Sequence, residues 1–300
     1  MAGNAADPLK QSLVSVVMPV YNAADSVEEA VRSLLLQTYR RLEIIVVDDG
    51  SVDRSAAVVT KLADTRVKIL RRDHHGLVAA LNHGCASAEG YYVARLDADD
   101  VACPTRIAAQ VEYLDRHPAV GLLGTWVRFE GEGERAWRFA PPVSDRALRR
   151  YLLWDNPFVH SSVMFRRDVY RHAGGYVEGP NEDYRLWITM ARNCTMAVLP
   201  DVLVTHRIRR ASHSRSAARD AVLRHRLKAQ WDAARLLGPW PLAIPPLAIT
   251  TAGYLLARLA GRRAQPVREP SLGRAARFRG IRPIRSGDGR QQDSSAKRAP

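Results

Sequence analysis

The stretch LVSVVMPVYNAADSVEEAVRSLLLQTYRRLEIIVVDDGS, residues 13–51, alternates two kinds of pattern, and that alternation decides the fold. Leu13 to Val20 is a continuous β-branched, apolar run of strand length, which reads as a strand buried on both faces. Asp25, with Glu28 three residues later, marks a helix start, and the helix is predicted over Val27 to Gln37. Leu42 to Val47 is a second buried run, with Ser51 to Ala63 as its following helix. Outward from there the alternation continues: a strand at Arg66 to Leu70, a helix over Leu77 to Ala86, and a strand at Tyr91 to Leu96. Pro104, tolerated in a first helical turn, then opens a helix to His117. Strand, helix, strand repeated in this way predicts an α/β fold, a mostly parallel Rossmann-like sheet flanked by helices on both faces. Beyond Val120 the pattern is less regular. Strands are expected at Val120 to Phe129, Ser162 to Arg166 and Met196 to Leu199, and helices at Asp145 to Leu153 and Glu182 to Arg192.

Charge is distributed unevenly over the 300 residues, whose formal net charge is +14. Residues 256–300 hold 12 Arg or Lys against 3 acids, and residues 205–231 hold 8 against 1, so the first 204 residues carry a net −2. The basic excess is therefore a property of the C-terminal third. That segment lacks interleaved aromatics, a helix-turn-helix or a zinc pattern, so nucleic acid is not an expected partner. Cys85, Cys103 and Cys194 are odd in number and widely spaced, against a disulfide framework or structural zinc site. With no basic start and apolar run near Met1, a cytoplasmic protein is expected. Ser216 to Leu237 reads as a basic helix. Leu242 to Ala260 is apolar but interrupted by Pro245 and Pro246, too short and broken to span a bilayer comfortably. A segment lying on an anionic membrane surface, at the inner face of the cell membrane, is the expectation, with an apolar arm packed on the domain as its alternative.

In open parallel sheets, ligands bind beyond the carboxyl ends of the strands, where loops and helix N-termini converge. Polar clusters fall at those ends: Pro19-Val20-Tyr21-Asn22, Asp48-Asp49-Gly50-Ser51, the region from His74, and Asp97-Ala98-Asp99-Asp100. Carboxylates at the end of a buried strand have no packing role, and paired oxygen ligands suit Mg²⁺ or Mn²⁺ when a diphosphate supplies the rest. No Gly-x-Gly-x-x-Gly follows the first strand, which argues against a dinucleotide-dependent oxidoreductase.

Taken together, SVVMPVYNAADSVEEAVRSLLLQTY, EIIVVDDGSVDRS, GLVAALNHG, GYYVARLDADD, HSSVMFRRD, GGY and NEDYRLW resemble the family 2 glycosyltransferases of the GT-A fold, over about two thirds of the chain. The resemblance implies an inverting enzyme that moves a sugar from a nucleotide-diphosphate donor to a hydroxyl of a glycan or lipid-linked acceptor, as in bacterial cell-surface polysaccharide synthesis. It implies that Pro19, Val20 and Tyr21 flank the nucleotide base and that Asp49 accepts a hydrogen bond from it. Asp97 would reach the ribose or metal, Asp99 would coordinate a Mg²⁺ or Mn²⁺ on the diphosphate, and Asp183 of the Glu-Asp pair would be the general base. Glu182 would orient the acceptor or cap a helix. His160 and Trp187 are weaker candidates for the acceptor or diphosphate side. Where many members carry a His in a Tyr-Arg-x-His ending, Arg209 stands here; Arg neutralises phosphate but is a poor metal ligand, leaving His206 or His213 as substitutes. The duller readings are that Tyr21 covers a sheet edge, that Asp48 and Asp49 are helix-capping acids with Ser51, and that Trp187 is core. A catalytically inactive relative that binds nucleotide sugar is the alternative function.

The expected organisation is a flexible N-terminus (1–12), a GT-A domain (13–214), a basic helix with an apolar segment (215–262) and a disordered basic tail (263–300). Within the domain, 13–117 is the expected nucleotide-binding half and 118–214 the acceptor half.

Overall fold

A computed structural model describes residues 12–131, 136–179, 181–208, 219–237, 240–259 and 281–283. The first strand, β1 (Val14–Val20), is buried along its whole length and lies parallel to β2 (Leu42–Asp49) on one side and β4 (Tyr92–Arg95) on the other. β3 (Val67–Arg72) extends the parallel half beyond β2. The crossovers are α1 (Val27–Leu35), α2 (Ser55–Thr60) and α3 (Leu77–Ser87). A two-residue strand, β5 (Val101–Ala102), and α4 (Arg106–Arg116) follow β4.

The second half is mixed in direction. β6 (Val120–Gly131) and β8 (Met164–Arg166) are antiparallel neighbours, and β8 joins the first half by pairing antiparallel with β4. β7 (Trp137–Phe139) lies beyond β6, and α5 (Asp145–Leu152), α6 (Arg167–His172) and α7 (Glu182–Met190) pack around the sheet. The long β9 (Thr195–Ile208) runs parallel to β6 and antiparallel to β5. Two helices follow, α8 (Arg219–Leu237) and α9 (Trp240–Leu259), and β10 (Ile281–Pro283) pairs with β7.

Alternation along β1 sorts its side chains between two cores. Val17 faces α3 and α7, with Leu81, Cys85 and Trp187, whereas Val16 and Met18 face α1 and α4, with Val31, Leu34, Ile107 and Leu114. A sheet covered on both faces must be apolar on both, which is why these strands read as unbroken hydrophobic runs. α3 lies so close to the sheet that a Cβ on Gly84 would stand 2.5 Å from Val17 Cγ1 and 3.0 Å from Val47 Cγ2.

Several boundaries differ from the sequence reading. α2 begins at Ser55 rather than Ser51 because residues 51–54 form a turn: Asp48 Oδ1 accepts from the Ser51 N–H at 3.0 Å and Asp53 Oδ1 from the Ser55 N–H at 2.9 Å. β9 reaches Ile208 instead of stopping at Leu199, since β6 offers it a partner along its whole length, with register shifts near Trp126. α9 runs through Pro245 and Pro246, although each proline loses a helical hydrogen bond and crowds the carbonyl four residues before it. Inside the stretch expected to be disordered, Ile281–Pro283 forms a strand. The expected flexible N-terminus at 1–11, along with Ser216, lies outside the described residues.

Gly84→Ala should destabilise the fold by about 1–3 kcal/mol, the usual cost of overpacking a closed interface. Chemical denaturation measures it; an unchanged midpoint would mean that α3 can lift off the sheet.

Candidate active site

The carboxyl ends of β1, β2 and β4 form one crevice. β2 and β4 flank β1, so at roughly 4.8 Å per strand the ends bearing Asp49 and Asp97 lie about 10 Å apart. The loops after β1 and β2 are clipped together: Ser51 Oγ accepts from the Asn22 N–H at 3.0 Å, and Asn22 Oδ1 accepts from the Val52 N–H at 2.9 Å. Asn22 takes a left-handed conformation (φ 50°) to make this exchange.

At the β2 end, Tyr21 is half exposed and stacks on His74 at 4.1 Å between ring centroids. Pro19 and Val20 are buried in β1 beside it. Asp49 is buried beneath, and its carboxylate is already occupied: Oδ2 accepts from the Gly76 N–H at 2.8 Å, Oδ1 from the His75 N–H at 3.2 Å, and Arg72 Nε stands 3.1 Å from Oδ1. The carboxylate expected to meet a base thus organises the β3–α3 loop here. Gly50 beside it has φ 78°, and any Cβ there would meet the His74 nitrogen at 2.8 Å.

At the β4 end, Arg95 is fully buried, with Nη1 donating to the Leu96 carbonyl and Nη2 to Asp97 Oδ1, each at 2.6 Å. Ser161 Oγ donates to Asp97 Oδ2 at 2.8 Å and accepts from the Asp97 N–H at 3.0 Å. Burial alone would raise the Asp97 pKa, but the charge of Arg95 and the Ser161 hydrogen bond outweigh it and hold the carboxyl well below the usual range. Asp100 is buried, accepting from His206 Nδ1 at 2.9 Å and from the Arg207 N–H at 3.1 Å. Burial opposes a charged His206, yet Asp100, Asp97 and Asp99 together push it up to about 9.

Across the crevice, Glu182 and Asp183 open α7. His160 Nδ1 stands 3.9 Å from Glu182 Oε1, and its Nε2 pairs with the Tyr176 hydroxyl at 2.8 Å. Burial and then Arg95 push His160 well below its ordinary value, so it is neutral. Burial, followed by the charges of Glu182 and Asp97, pushes Asp183 up to about 7. Glu182 is raised as well, first by burial. Asn156 Nδ2 donates to Asp183 Oδ2 at 2.8 Å, and the Tyr184 N–H donates to Oδ1 at 2.7 Å.

The fold therefore brings Asp97, Asp99 and Asp100 beside His206 and sets Asp97 within electrostatic reach of Glu182 and Asp183, with Tyr21 and Asp49 at the neighbouring strand ends. Trp187 is a correction: it is fully enclosed by Phe158, His160, Phe165 and Tyr176, so it packs the core beneath the site and faces no sugar. Arg209 and His213 lie outside the described residues. Sequence reasoning missed Arg95, Ser161, Asn156 and the pairing of Asp100 with His206. An arginine inside the buried run YYVARL was the available signal for the first of these.

Would these residues suit a divalent cation? Carboxylate oxygens and one imidazole are an appropriate donor set for Mg²⁺ or Mn²⁺. Asp100 on Nδ1 orients the ring and turns Nε2 outward, the arrangement by which a second carboxylate steers a metal-binding histidine. The acidic field that keeps a proton on His206 is one that attracts positive charge. Among the described residues no three His, Cys, Asp or Glu side chains already form a closed metal cluster. The set fits an ion that takes its remaining ligands from a diphosphate.

The sequence model of Glycosyl transferase family 2 matches residues 15–174, more than half of the chain. The chain belongs to this family and has its GT-A architecture. An uncharacterized glycosyltransferase of Haemophilus influenzae is 30% identical over 213 residues, 65% of either chain. The amylovoran biosynthesis glycosyltransferase AmsE of Erwinia amylovora is 36% identical over 201 residues, 64% of this chain and 75% of that one. The match thus spans just under two thirds of the length of the first of these relatives. In fold, the chain is similar to S. aureus TarS in complex with UDP-GlcNAc, at a TM-score of 0.63 and 19% identity, covering 82% of this chain and 72% of that one. It is also similar to the mannosyltransferase PcManGT of Pyrobaculum calidifontis in complex with GDP-Man and Mn²⁺, at a TM-score of 0.61 and 22% identity, covering 86% and 78%.

Replacing Arg95 by Met should destabilise the protein by about 3 kcal/mol, the lower end of the cost of orphaning a buried ion's partner, since Asp97 keeps some access to water. Thermal or urea unfolding measures the loss, and wild-type stability in Arg95→Met would contradict the pairing.

Proposed function

We propose that this protein is an inverting glycosyltransferase that moves a sugar from a nucleoside-diphosphate donor to a hydroxyl acceptor, in the synthesis of a bacterial surface polysaccharide or lipid-linked glycan. One observation carries the reading: the acidic turn Asp97–Asp100, joined by His206, lies near enough to Asp183 for Asp97 to add to the burial and the Glu182 charge that raise its proton affinity to about 7. Supporting it are the family membership and the donors held by TarS and PcManGT.

In this reading Tyr21, with Pro19 and Val20 behind it, offers the nucleobase a face at one end of the crevice. Asp49 is its hydrogen-bond partner once the Gly76 contact yields. Asp97 and Asp99 would hold a Mg²⁺ or Mn²⁺, joined by His206 once the ion displaces its proton, and the ion when bound would supply positive charge to the leaving group. Asp183 takes the proton from the acceptor hydroxyl as that oxygen forms its bond to the anomeric carbon. The bond from that carbon to the diphosphate oxygen breaks on the opposite face, and its electron pair departs with the nucleoside diphosphate. Inversion follows from this single displacement. Glu182 orients the acceptor, and neutral His160 is a hydrogen-bonding group on the same side.

A base must be unprotonated to act. With the Asp183 pKa at about 7, the active carboxylate is depleted as pH falls through that value, so kcat/KM should rise about tenfold per pH unit below 7 and level off above it. Asp183→Asn should keep donor binding and lose about 10²–10⁴ of turnover. Release of nucleoside diphosphate from a panel of donor sugars with Mn²⁺ measures both; an active Asp183→Asn enzyme would remove the assignment.

We further infer a peripheral site of action on the cytoplasmic membrane. No described helix is long and apolar enough to cross a bilayer. α9 nonetheless exposes Ile244 (60%) and Ile249 (64%), with Pro245 and Ala248 exposed beside them, in a stretch that holds no charged residue between Arg235 and Arg258. Its basic flanks would each add about 1 kcal/mol per Lys or Arg near anionic lipid. The protein should co-sediment with phosphatidylglycerol vesicles at low salt and much less with phosphatidylcholine vesicles. Absence from both pellets would exclude the anchor.

A further inference from the structure

The family match ends at residue 174, yet the chain's own C-terminal helix reaches the reaction centre indirectly. α8 packs on α7, the helix that opens with Glu182 and Asp183, burying Ala229, Gln230, Ala233 and Ala234. From this helix two side chains one turn apart meet a single carbonyl: Arg226 Nη2 and Gln230 Nε2 donate to the Trp154 oxygen at 2.9 and 2.8 Å. Arg226 also pairs with Asp155 Oδ2 at 3.0 Å. On the other side of the same turn, the Tyr184 hydroxyl donates to the Leu152 carbonyl. Residues 152–155 are thus gripped from α7 and α8 together.

Asn156 follows directly. Asp155 Oδ1 accepts from the Asn156 N–H at 3.0 Å, and Asn156 Oδ1 accepts from the Phe158 N–H at 3.0 Å. The second bond decides which way the amide faces, because only its oxygen can meet a backbone N–H. Its nitrogen is therefore turned to Asp183, to which it donates at 2.8 Å.

We propose that α8 is a buttress for the catalytic carboxylate: Arg226 and Gln230 fix the Trp154–Asn156 turn, and Asn156 is the positioning residue that aims and steadies Asp183. This rests on the reading of Asp183 as general base. Pairing both carboxylate oxygens, one from Asn156 and one from the Tyr184 N–H, fixes the rotamer and leaves on each oxygen a lone pair for the incoming proton. It also restrains an acid that its surroundings otherwise keep protonated. The groups facing Asp183 are Glu182 on its own helix, Asp97 at the end of β4 and Tyr176 in the loop before α7, and both carboxylates oppose its ionisation. Asn156 works against them, since a donor stabilises the ionised form.

The test is a ¹³C-carboxyl NMR titration of the full chain labelled at aspartate, with the Asp183 resonance assigned by its loss in Asp183→Asn. Asn156→Ala should raise the Asp183 midpoint by about one pH unit, tenfold in proton affinity, the scale of one hydrogen bond to a charged group. Gln230→Met, which leaves Arg226 in place and is mild enough to fold, should move it in the same direction by less, and Arg226→Met with Gln230→Met by more. An unmoved midpoint in Asn156→Ala overturns the positioning role. A shift there with none in either α8 variant, each shown folded by circular dichroism, overturns the buttress. Turnover retained by Asp183→Asn would instead remove the base assignment while leaving the titration result intact, so the two failures are distinguishable.

Discussion

A guanidinium buried under a cluster of acids is the constraint on which the site depends. Carboxylates crowded at a strand end repel one another, and in a partly desolvated crevice they would take up protons. Arg95 prevents this for Asp97, holding one of its oxygens while its own Nη1 is anchored on the Leu96 carbonyl. Arg106, equally buried, ties the strand beneath, donating to the Arg95 carbonyl at 2.8 Å and the Val163 carbonyl at 3.1 Å. Two buried cations are costly, and their hydrogen bonds to main-chain oxygens offset that cost by specifying where the β4 end must lie. The acidic turn is rigid because what lies under it has no other place to go.

Opposite charges are thus partitioned by depth. Arginine sits inside, Asp97 lies nearer the surface, and Asp183 is governed instead by burial and its acidic neighbours. Arg95 favours the ionised form of Asp97 and outweighs burial there, whereas in Glu182 burial prevails over it. One crevice therefore contains an acid held ionised and another held near neutrality, the separation of proton affinities by which similar side chains take different roles.

The parallel half was legible because its strands are buried on both faces: LVSVVMPV and LEIIVV can scarcely be anything else, and their polar ends marked the crevice. Short edge elements were not. β5 and β7 have two and three residues, below the length at which any periodicity is readable, and they exist because β9 and β6 offer them partners. The same holds for the last part of β9, where THRI has no strand pattern of its own. Among site residues, Asp97 and Asp99 drew attention by their place after a buried strand, and Asp183 through the family resemblance. Asn156 and Ser161 were not, since a polar residue in a loop acquires a role only through the partner that folding brings to it. Trp187 went to the core because an indole on the inner face of α7 packs against the rings of Phe158, His160, Phe165 and Tyr176; its unpartnered Nε1 is the residual cost.

The length of β9 carries a consequence for how the protein is made. His206 meets Asp100 across 106 residues of sequence, at the far end of the strand that closes the sheet. Contacts so distant form only after the entropy of a long loop has been overcome, and on a ribosome only after residue 208 has emerged. The acidic turn is synthesised early and completed late, so a nascent or truncated chain presents its aspartates without the imidazole that finishes the ring. Completion of the acidic turn is in this way tied to synthesis of the chain through the end of β9.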